Sequence, residues 1–373
     1  MPNVNFIKEV IEDLGGLVIT LESEFTWKQN FDIGFVDGKK FYVIFENDEF
    51  SGKIYSDIES IYEFFKKRNI GKDKVIFMTA AHSLNYGFDG KNNITEIENE
   101  FPLWVHQYFW TNYGYTDKSF LESIKTTEVP SKLFVSTMMT QKFDRVEFIK
   151  KLKEYKLIKH LDKFSDDDKG WVSANWTERI FEDDIDCHPH LETNRILQNP
   201  IGTMASIYPT SDFVPTVKVG KKEYSMFELG NMPCMFLLRH KIKDAFCYVV
   251  MESETNYISR LTEKTLFPIF FKKPFFNIGI YRGMDILKDY GYKTFDKIFD
   301  ESYQYETDLN KKLDMVCTQL VELSKKSNEE LVELFSTVED ITEYNYNVLM
   351  SCLENPKKKL KNYLIRSLEK INE

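Results

Sequence analysis

The sequence predicts an α/β protein built on two parallel sheets and closed by C-terminal helices, and three observations carry that prediction. Short apolar runs rich in aromatic and β-branched residues alternate with amphipathic helical stretches through residues 1–130, the pattern of a parallel sheet covered by helices. A second series restarts near Pro130 and contains a strand, a polar loop, a helix N-terminus and another strand between Phe246 and Gly279. The 373 residues suffice for two domains of ordinary size, or one large one.

In the first half, residues 17–21 (Leu-Val-Ile-Thr-Leu), 41–45 (Phe-Tyr-Val-Ile-Phe) and 75–78 (Val-Ile-Phe-Met) read as strands. Residues 55–67 read as an amphipathic helix with Ile58, Ile61, Tyr62 and Phe65 on one side. Residues 103–110 form a further candidate strand or buried helix. The polar residues at the strand ends here are Glu46, Asn47, Asp48 and His82.

The second half opens with a strand around Leu133-Phe134-Val135. Asp144, with Glu147 three residues on, is an acidic relative of the capping box and starts a helix expected to run toward Lys159. Phe148, Ile149, Leu152 and Leu157 give that helix a buried face, and Arg145 lies in its first turn. Residues 165–230 look less regular and carry Asp166-Asp167-Asp168, Glu182-Asp183-Asp184-Ile185-Asp186 and Cys187-His188-Pro189-His190. Asp184 and Asp186 have the Asp-x-Asp spacing that suits magnesium or manganese at a diphosphate. Acidic runs are more often solvated loops, and His188 and His190 lack a third ligand nearby in sequence. Residues 235–238 are another apolar run, followed by Arg239, His240, Lys241 and Lys243.

The most informative stretch follows. Residues 246–251 read as a buried strand that ends in acid, with Glu252 and Glu254 on either side of Ser253. A polar segment leads to Thr262-Glu263-Lys264, where Thr262 can cap a helix whose first turn holds Glu263 and Lys264. Pro268 should keep that helix short, because proline lacks the N–H of the helical ladder. Residues 274–280 then read as a second buried strand, ending at Gly279. Ligands of open α/β sheets sit outside the carboxyl ends of the strands, where these groups fall. A carboxylate there accepts hydrogen bonds from the vicinal hydroxyls of a ribose, and a lysine with a helix N-terminus neutralises a diphosphate.

These residues resemble a family, the fucosyltransferase-like glycosyltransferases and the related glycosyltransferases carried by phages. Val250-Met251-Glu252-Ser253 stands for its Phe-Glu-Asn-Ser segment, with Met251 in place of Phe and Ser253 in place of Asn. Tyr257-Ile258-Ser259-Arg260-Leu261-Thr262-Glu263-Lys264 stands for its Tyr-Ile-Thr-Glu-Lys, with residues inserted before Thr262. Residues 274–279 stand for its Pro/Gly strand, and residues 292–303 are similar to the segment that follows in the phage proteins. The resemblance covers a minority of the chain.

It implies two facing Rossmann-like domains (GT-B-like): residues 1–130 on the acceptor side, 131–303 holding the donor nucleotide, and 304–373 as helices packing back on them. It further implies a nucleotide-diphosphate sugar as co-substrate, Glu263 on the ribose, and Lys264, with Arg145 or Arg260, on the diphosphate. Glu252 or Glu254 would meet the sugar or the ribose. No metal is required in this reading, and Asp184 with Asp186 is the metal-dependent alternative. The acceptor, a glycan or another hydroxyl-bearing molecule, needs a general base, for which Glu46, Asp48 and His82 are candidates. The resemblance tilts toward inversion at the anomeric carbon. Two rival readings stand beside it, a non-catalytic phage interaction or structural protein and a transferase that modifies DNA bases.

The chain closes in helices. Leu309, Leu313, Val316, Leu320 and Leu323 are spaced four, three, four and three, the seam of a packed helix. Helical patterns continue through residues 331–335, 344–353 and 360–371, and Lys357-Lys358-Lys359 reads as a solvated basic turn. Five scattered cysteines suit reduced thiols, and a net charge of −10 disfavours broad capture of nucleic acid while leaving a local basic groove open. No stretch reaches the roughly eighteen apolar residues of a membrane span, and residues 1–11 do not read as a secretory signal. The expectation is a cytoplasmic protein, in the host cytoplasm if viral.

Overall fold

The computed structural model describes residues 5–21, 27–46, 53–78, 130–138, 143–159, 168–174, 216–219, 222–225, 242, 244–252, 261, 263–279, 281–289, 291–354, 358, 361–362 and 364–365. The chain divides into two units. The first comprises Met1–Asn112, Asn256–Glu263 and Leu349–Glu373, and the second Tyr113–Thr255 and Lys264–Val348.

The first unit follows the order α1 (Asn5–Asp13), β1 (Leu17–Leu21), α2 (Trp27–Gly34), β2 (Tyr42–Glu46), α3 (Lys53–Lys66) and β3 (Val75–Met78). The strands form a parallel sheet in the order β1-β2-β3, with Leu17 beside Tyr42 and Tyr42 beside Val75. All three expected strands are present, the second shifted by one residue. Ile19, Leu21, Phe31, Tyr42, Ile44, Ile61, Phe65 and Val75 form the core. The helical stripe read for α3 accordingly buries Ile61 and Phe65 and half-buries Tyr62.

The second unit contains β4 (Lys132–Met138), α4 (Phe143–Glu154), β5 (Gly170–Ala174), β6 (Thr216–Val219), β7 (Lys222–Ser225), β8 (Ala245–Met251), α5 (Glu263–Phe270, whose first residue falls in the first unit), β9 (Phe275–Ile278), α6 (Gly283–Asp289), α7 (Leu309–Leu323), α8 (Asn328–Ser336) and α9 (Glu339–Glu354) as far as Val348. Its sheet runs β5-β4-β8-β9, and every pair is parallel. Every residue of β8 and β9 is buried, as expected of strands covered on both faces. The strand order reverses between β4 and β8, because β4 is followed on one side by β5 and on the other by β8. That reversal is the topological switch point of the sheet.

Several boundaries differ from expectation for local reasons. α4 stops at Glu154 instead of continuing toward Lys159. Lys156 takes a left-handed conformation (φ 57°), so that Leu157 N bonds Leu152 O at 2.8 Å and Lys156 N bonds Lys153 O at 2.9 Å. Asp144 lies inside the first turn instead of capping it, and its Oδ1 accepts from Arg145 N at 3.0 Å. The stretch read as irregular holds β5 and the antiparallel β6-β7 hairpin. β5 was illegible because Gly-Trp-Val-Ser-Ala has no continuous apolar run; Gly170 is required there because the ring of Phe134 on β4 occupies the place of a Cβ.

α5 is short, as its proline predicts, and ends at Phe270. Lys272 (φ 52°) closes it, with Lys273 N bonding Pro268 O at 2.8 Å. The seam of α7 buries Leu313, Val316, Leu320 and Leu323. α7 packs on α4, where Asp314 Oδ1 meets Lys151 Nζ at 2.8 Å and accepts from Tyr155 OH at 3.1 Å. The tail is thus divided: α7, α8 and α9 as far as Val348 belong to the second unit, and residues 349–373 to the first. Among the described residues no helix is long and apolar enough to cross a membrane.

Candidate functional site

The carboxyl ends of β4, β8 and β9 collect the polar groups of the second unit. Arg145 enters from the first turn of α4, the helix that follows β4, and is 1% exposed. Its Nη2 donates to the carbonyl oxygen of Glu252 at 3.4 Å, just past the end of β8. A cation carried by β4's own helix therefore crosses the switch point to β8.

Glu252 is fully buried, and its N–H donates to Ile278 O at 3.1 Å, continuing the β8–β9 ladder. Its carboxylate accepts a short hydrogen bond from the hydroxyl of Thr265, in the first turn of α5. The amide Nδ2 of Asn277, on β9, donates to Thr265 Oγ1 at 2.7 Å. Asn277 Oδ1 is buried without a hydrogen-bond partner among the described residues. Gly279 lies against this group: a Cβ there would stand 2.7 Å from Asn277 Oδ1 and 2.8 Å from Glu252 Cγ. Only glycine lets the backbone approach so closely.

Among the described strands β9 is at the edge of this sheet, and side chains close its outer side. Asn277 N donates to the hydroxyl of Tyr303 at 2.9 Å, and burial pushes that phenol well up from its ordinary range. Lys312 Nζ, from the first turns of α7, donates to Gly279 O at 3.2 Å. Burial pushes the Lys312 ammonium down to about 8, against an opposing pull from Glu306. The segment 292–304 is fixed by three side-chain amides. Asn345 both accepts from Lys293 N and donates to Lys293 O, and Gln319 holds Asp300 in the same way, all at 2.8 Å. Gln304 Oε1 accepts from Met284 N and Asp285 N at the start of α6. Glu301 accepts from Phe295 N at 2.8 Å, and burial raises its carboxyl above the usual range.

The structure thus brings together Arg145 and Glu252 of the residues chosen from sequence. Lys264 is half-buried in the first turn of α5, and Glu263 is that helix's first residue. Glu46 is the last residue of β2, beside Leu21. Asp48, His82, Asp184, Asp186, Glu254, Arg260 and Thr262 lie outside the described residues, as do 103–110, 235–238 and the basic cluster except Ile242 and Asp244 within and after it. Of the first acidic cluster, Asp168 is a buried latch. Its carbonyl accepts from Lys132 Nζ at 2.9 Å and its Oδ1 from Lys159 N, at the opposite end of β4 from the site.

Sequence reasoning missed Thr265, Asn277 and Lys312. Each left a trace: Asn277 is the polar residue of Phe-Phe-Asn-Ile, two before Gly279, and Lys312 lies on the stripe it shares with Val316, Leu320 and Leu323. Among the described residues no group of three or more His, Cys, Asp and Glu is placed to hold a metal ion. Compared with protein-family models, with curated proteins and with solved structures, the chain matches none.

Proposed function

We propose that the second unit binds a nucleotide-diphosphate sugar and that the protein is a glycosyltransferase of the two-Rossmann, GT-B kind, acting without a metal. The observation that carries this reading is the buried guanidinium of Arg145 on Glu252 O at the switch point, a cation where open α/β sheets bind phosphate-bearing ligands. Departure of a nucleoside diphosphate puts charge on its leaving oxygens, and Arg145 and Lys264 would stabilise that charge, with Arg260 as a further candidate. Glu263 would take the ribose hydroxyls. Glu252 is assigned a different role from the one its sequence suggests. With its carboxylate sealed beneath Thr265, it positions α5 and leaves sugar contacts to Glu254. Glu46, Asp48 and His82 remain the candidate general bases for the acceptor hydroxyl.

Thermal unfolding with a panel of nucleotides and nucleotide sugars, without and with EDTA, tests this reading. A ligand at about a hundred times its Kd adds about 2.7 kcal/mol, a shift of several degrees in a chain of this size. A shift that survives chelation and is lost in Glu263→Ala supports the reading. A shift abolished by EDTA moves the site to Asp184 and Asp186, and silence across the panel overturns it. The sealing of Glu252 favours one second reading, a protein that binds nucleotide and transfers nothing; donor binding without turnover would identify it.

A further inference from the structure

Lys312 is a buried ammonium without a counter-ion among the described residues. It is 5% exposed, its Nζ donates to Gly279 O at 3.2 Å, and no carboxylate among the described residues forms an ion pair with it. Glu306 raises its pKa by charge, without forming an ion pair with it, and Glu306 Oε1 accepts from Asp308 N at 2.8 Å. Covering the edge of β9 does not call for a charge. On the same edge, the neutral hydroxyl of Tyr303 meets Asn277 N. Buried charges in proteins are ordinarily paired, because desolvating one costs several kcal/mol.

The position of this cation says what would pair it. Met251 lies beside Ile278 in the β8–β9 register, so the residues that follow, Glu252 and Gly279, are neighbours on adjacent strands, about 4.8 Å apart. Their carbonyls hold two buried cations from different helices, Arg145 of α4 and Lys312 of α7. An ammonium has three donors, and Gly279 O uses one of them. We propose that Lys312 is an anion ligand that forms, with Arg145, a two-cation clamp for a diphosphate at the carboxyl ends of β8 and β9. The clamp rests on the donor-site reading for the nucleotide attached to that diphosphate. The diphosphate itself is recognised by the two charges.

Inorganic pyrophosphate separates the two claims. Thermal unfolding of the wild-type protein and of Lys312→Met is followed with pyrophosphate and, separately, with uridine, guanosine and adenosine diphosphates. The clamp predicts that pyrophosphate stabilises the wild-type protein and that Lys312→Met needs at least about tenfold more of it, the loss of one charge-assisted hydrogen bond. Pyrophosphate binding that depends on Lys312, with no response to any nucleotide, upholds the clamp and removes the donor-site reading. Nucleotide binding that is equal in both proteins removes the clamp and leaves the donor site. No response to pyrophosphate in the wild-type protein removes the clamp outright. A crystal structure of the wild-type protein with pyrophosphate asks the same question without a substitution. Phosphate oxygens at hydrogen-bond distance from Lys312 Nζ support the clamp, and pyrophosphate seated elsewhere overturns it.

Discussion

The hydroxyl of Thr265 donates to the buried carboxylate of Glu252, and the direction of that bond orders the groups around it. A carboxylate only accepts, and a hydroxyl has one proton to give. Thr265 must therefore accept from Asn277 Nδ2, which turns Asn277 Oδ1 toward Gly279. One residue of α5 thereby ties the helix to the ends of both β8 and β9.

Thr265→Val keeps the shape and deletes the link. Two buried groups, Glu252 Oε1 and Asn277 Nδ2, lose a partner, which should cost about 1–3 kcal/mol. Glu252→Gln retains an acceptor oxygen for the Thr265 proton and should cost less. Urea unfolding of the two variants reads the difference, and the reverse ranking would show that the relay does not hold α5.

Gly279→Ala tests the close approach. The added methyl would stand under 3.0 Å from Asn277 Oδ1 and Glu252 Cγ, atoms that the relay and the strand end hold in place. The cost of such overpacking is about 1–3 kcal/mol, measured by the same unfolding experiment. A neutral result would mean that the strand end yields easily.

β1–β4, β8, β9, α3–α5 and α7–α9 were legible because their signal is periodic and local. β8 and β9 are apolar runs of the right length, and α7 repeats its leucines every three and four residues. β5 was not legible, because its strand state is imposed by pairing with β4 and not by its own composition. The candidate site was half legible for the same reason. Arg145 and Glu252 stand at element boundaries that the sequence marks. Thr265, Asn277 and Lys312 acquire meaning only when β8, β9 and α7 bring them to one sheet edge from residues distant in sequence. The burial of Glu252 was equally invisible, since an acidic residue after a strand reads as solvated until a helix is laid over it.

Lys156→Gly should stabilise the protein. Lys156 is exposed and holds a left-handed φ of 57° to close α4, a conformation that strains any residue with a Cβ. Glycine relieves that strain and gives back part of the gain by loosening the unfolded chain. A net gain of about 0.5–1 kcal/mol is expected, seen as a higher urea midpoint with an unchanged slope. A loss of stability would mean that the lysine side chain contributes more than its backbone costs.

The charge on Lys312 makes a prediction about pH in the ligand-free protein. Its ammonium titrates at about 8 in the folded state against an ordinary 10.5, because burial disfavours the charged form. Between those values the unfolded chain binds more protons than the folded one, so this residue's contribution to stability rises from about pH 8 and levels off above 10.5. The rise is about 3 kcal/mol by linkage. Other buried groups act in the opposite sense. The thiols of Cys247 and Cys317 and the phenols of Tyr248 and Tyr303 are all raised by burial, so they favour the unfolded state as pH climbs through their ordinary values. The wild-type curve alone therefore mixes both signs. Subtracting the curve of Lys312→Met cancels the thiols and phenols and leaves the lysine. The stability difference, wild type minus Lys312→Met, should climb with pH across that window. A flat difference would mean that Lys312 is already paired with an anion or solvated in the folded protein. Adding pyrophosphate at neutral pH should stabilise the wild-type protein and flatten the climb, because an anion beside the ammonium raises its pKa back toward the ordinary value.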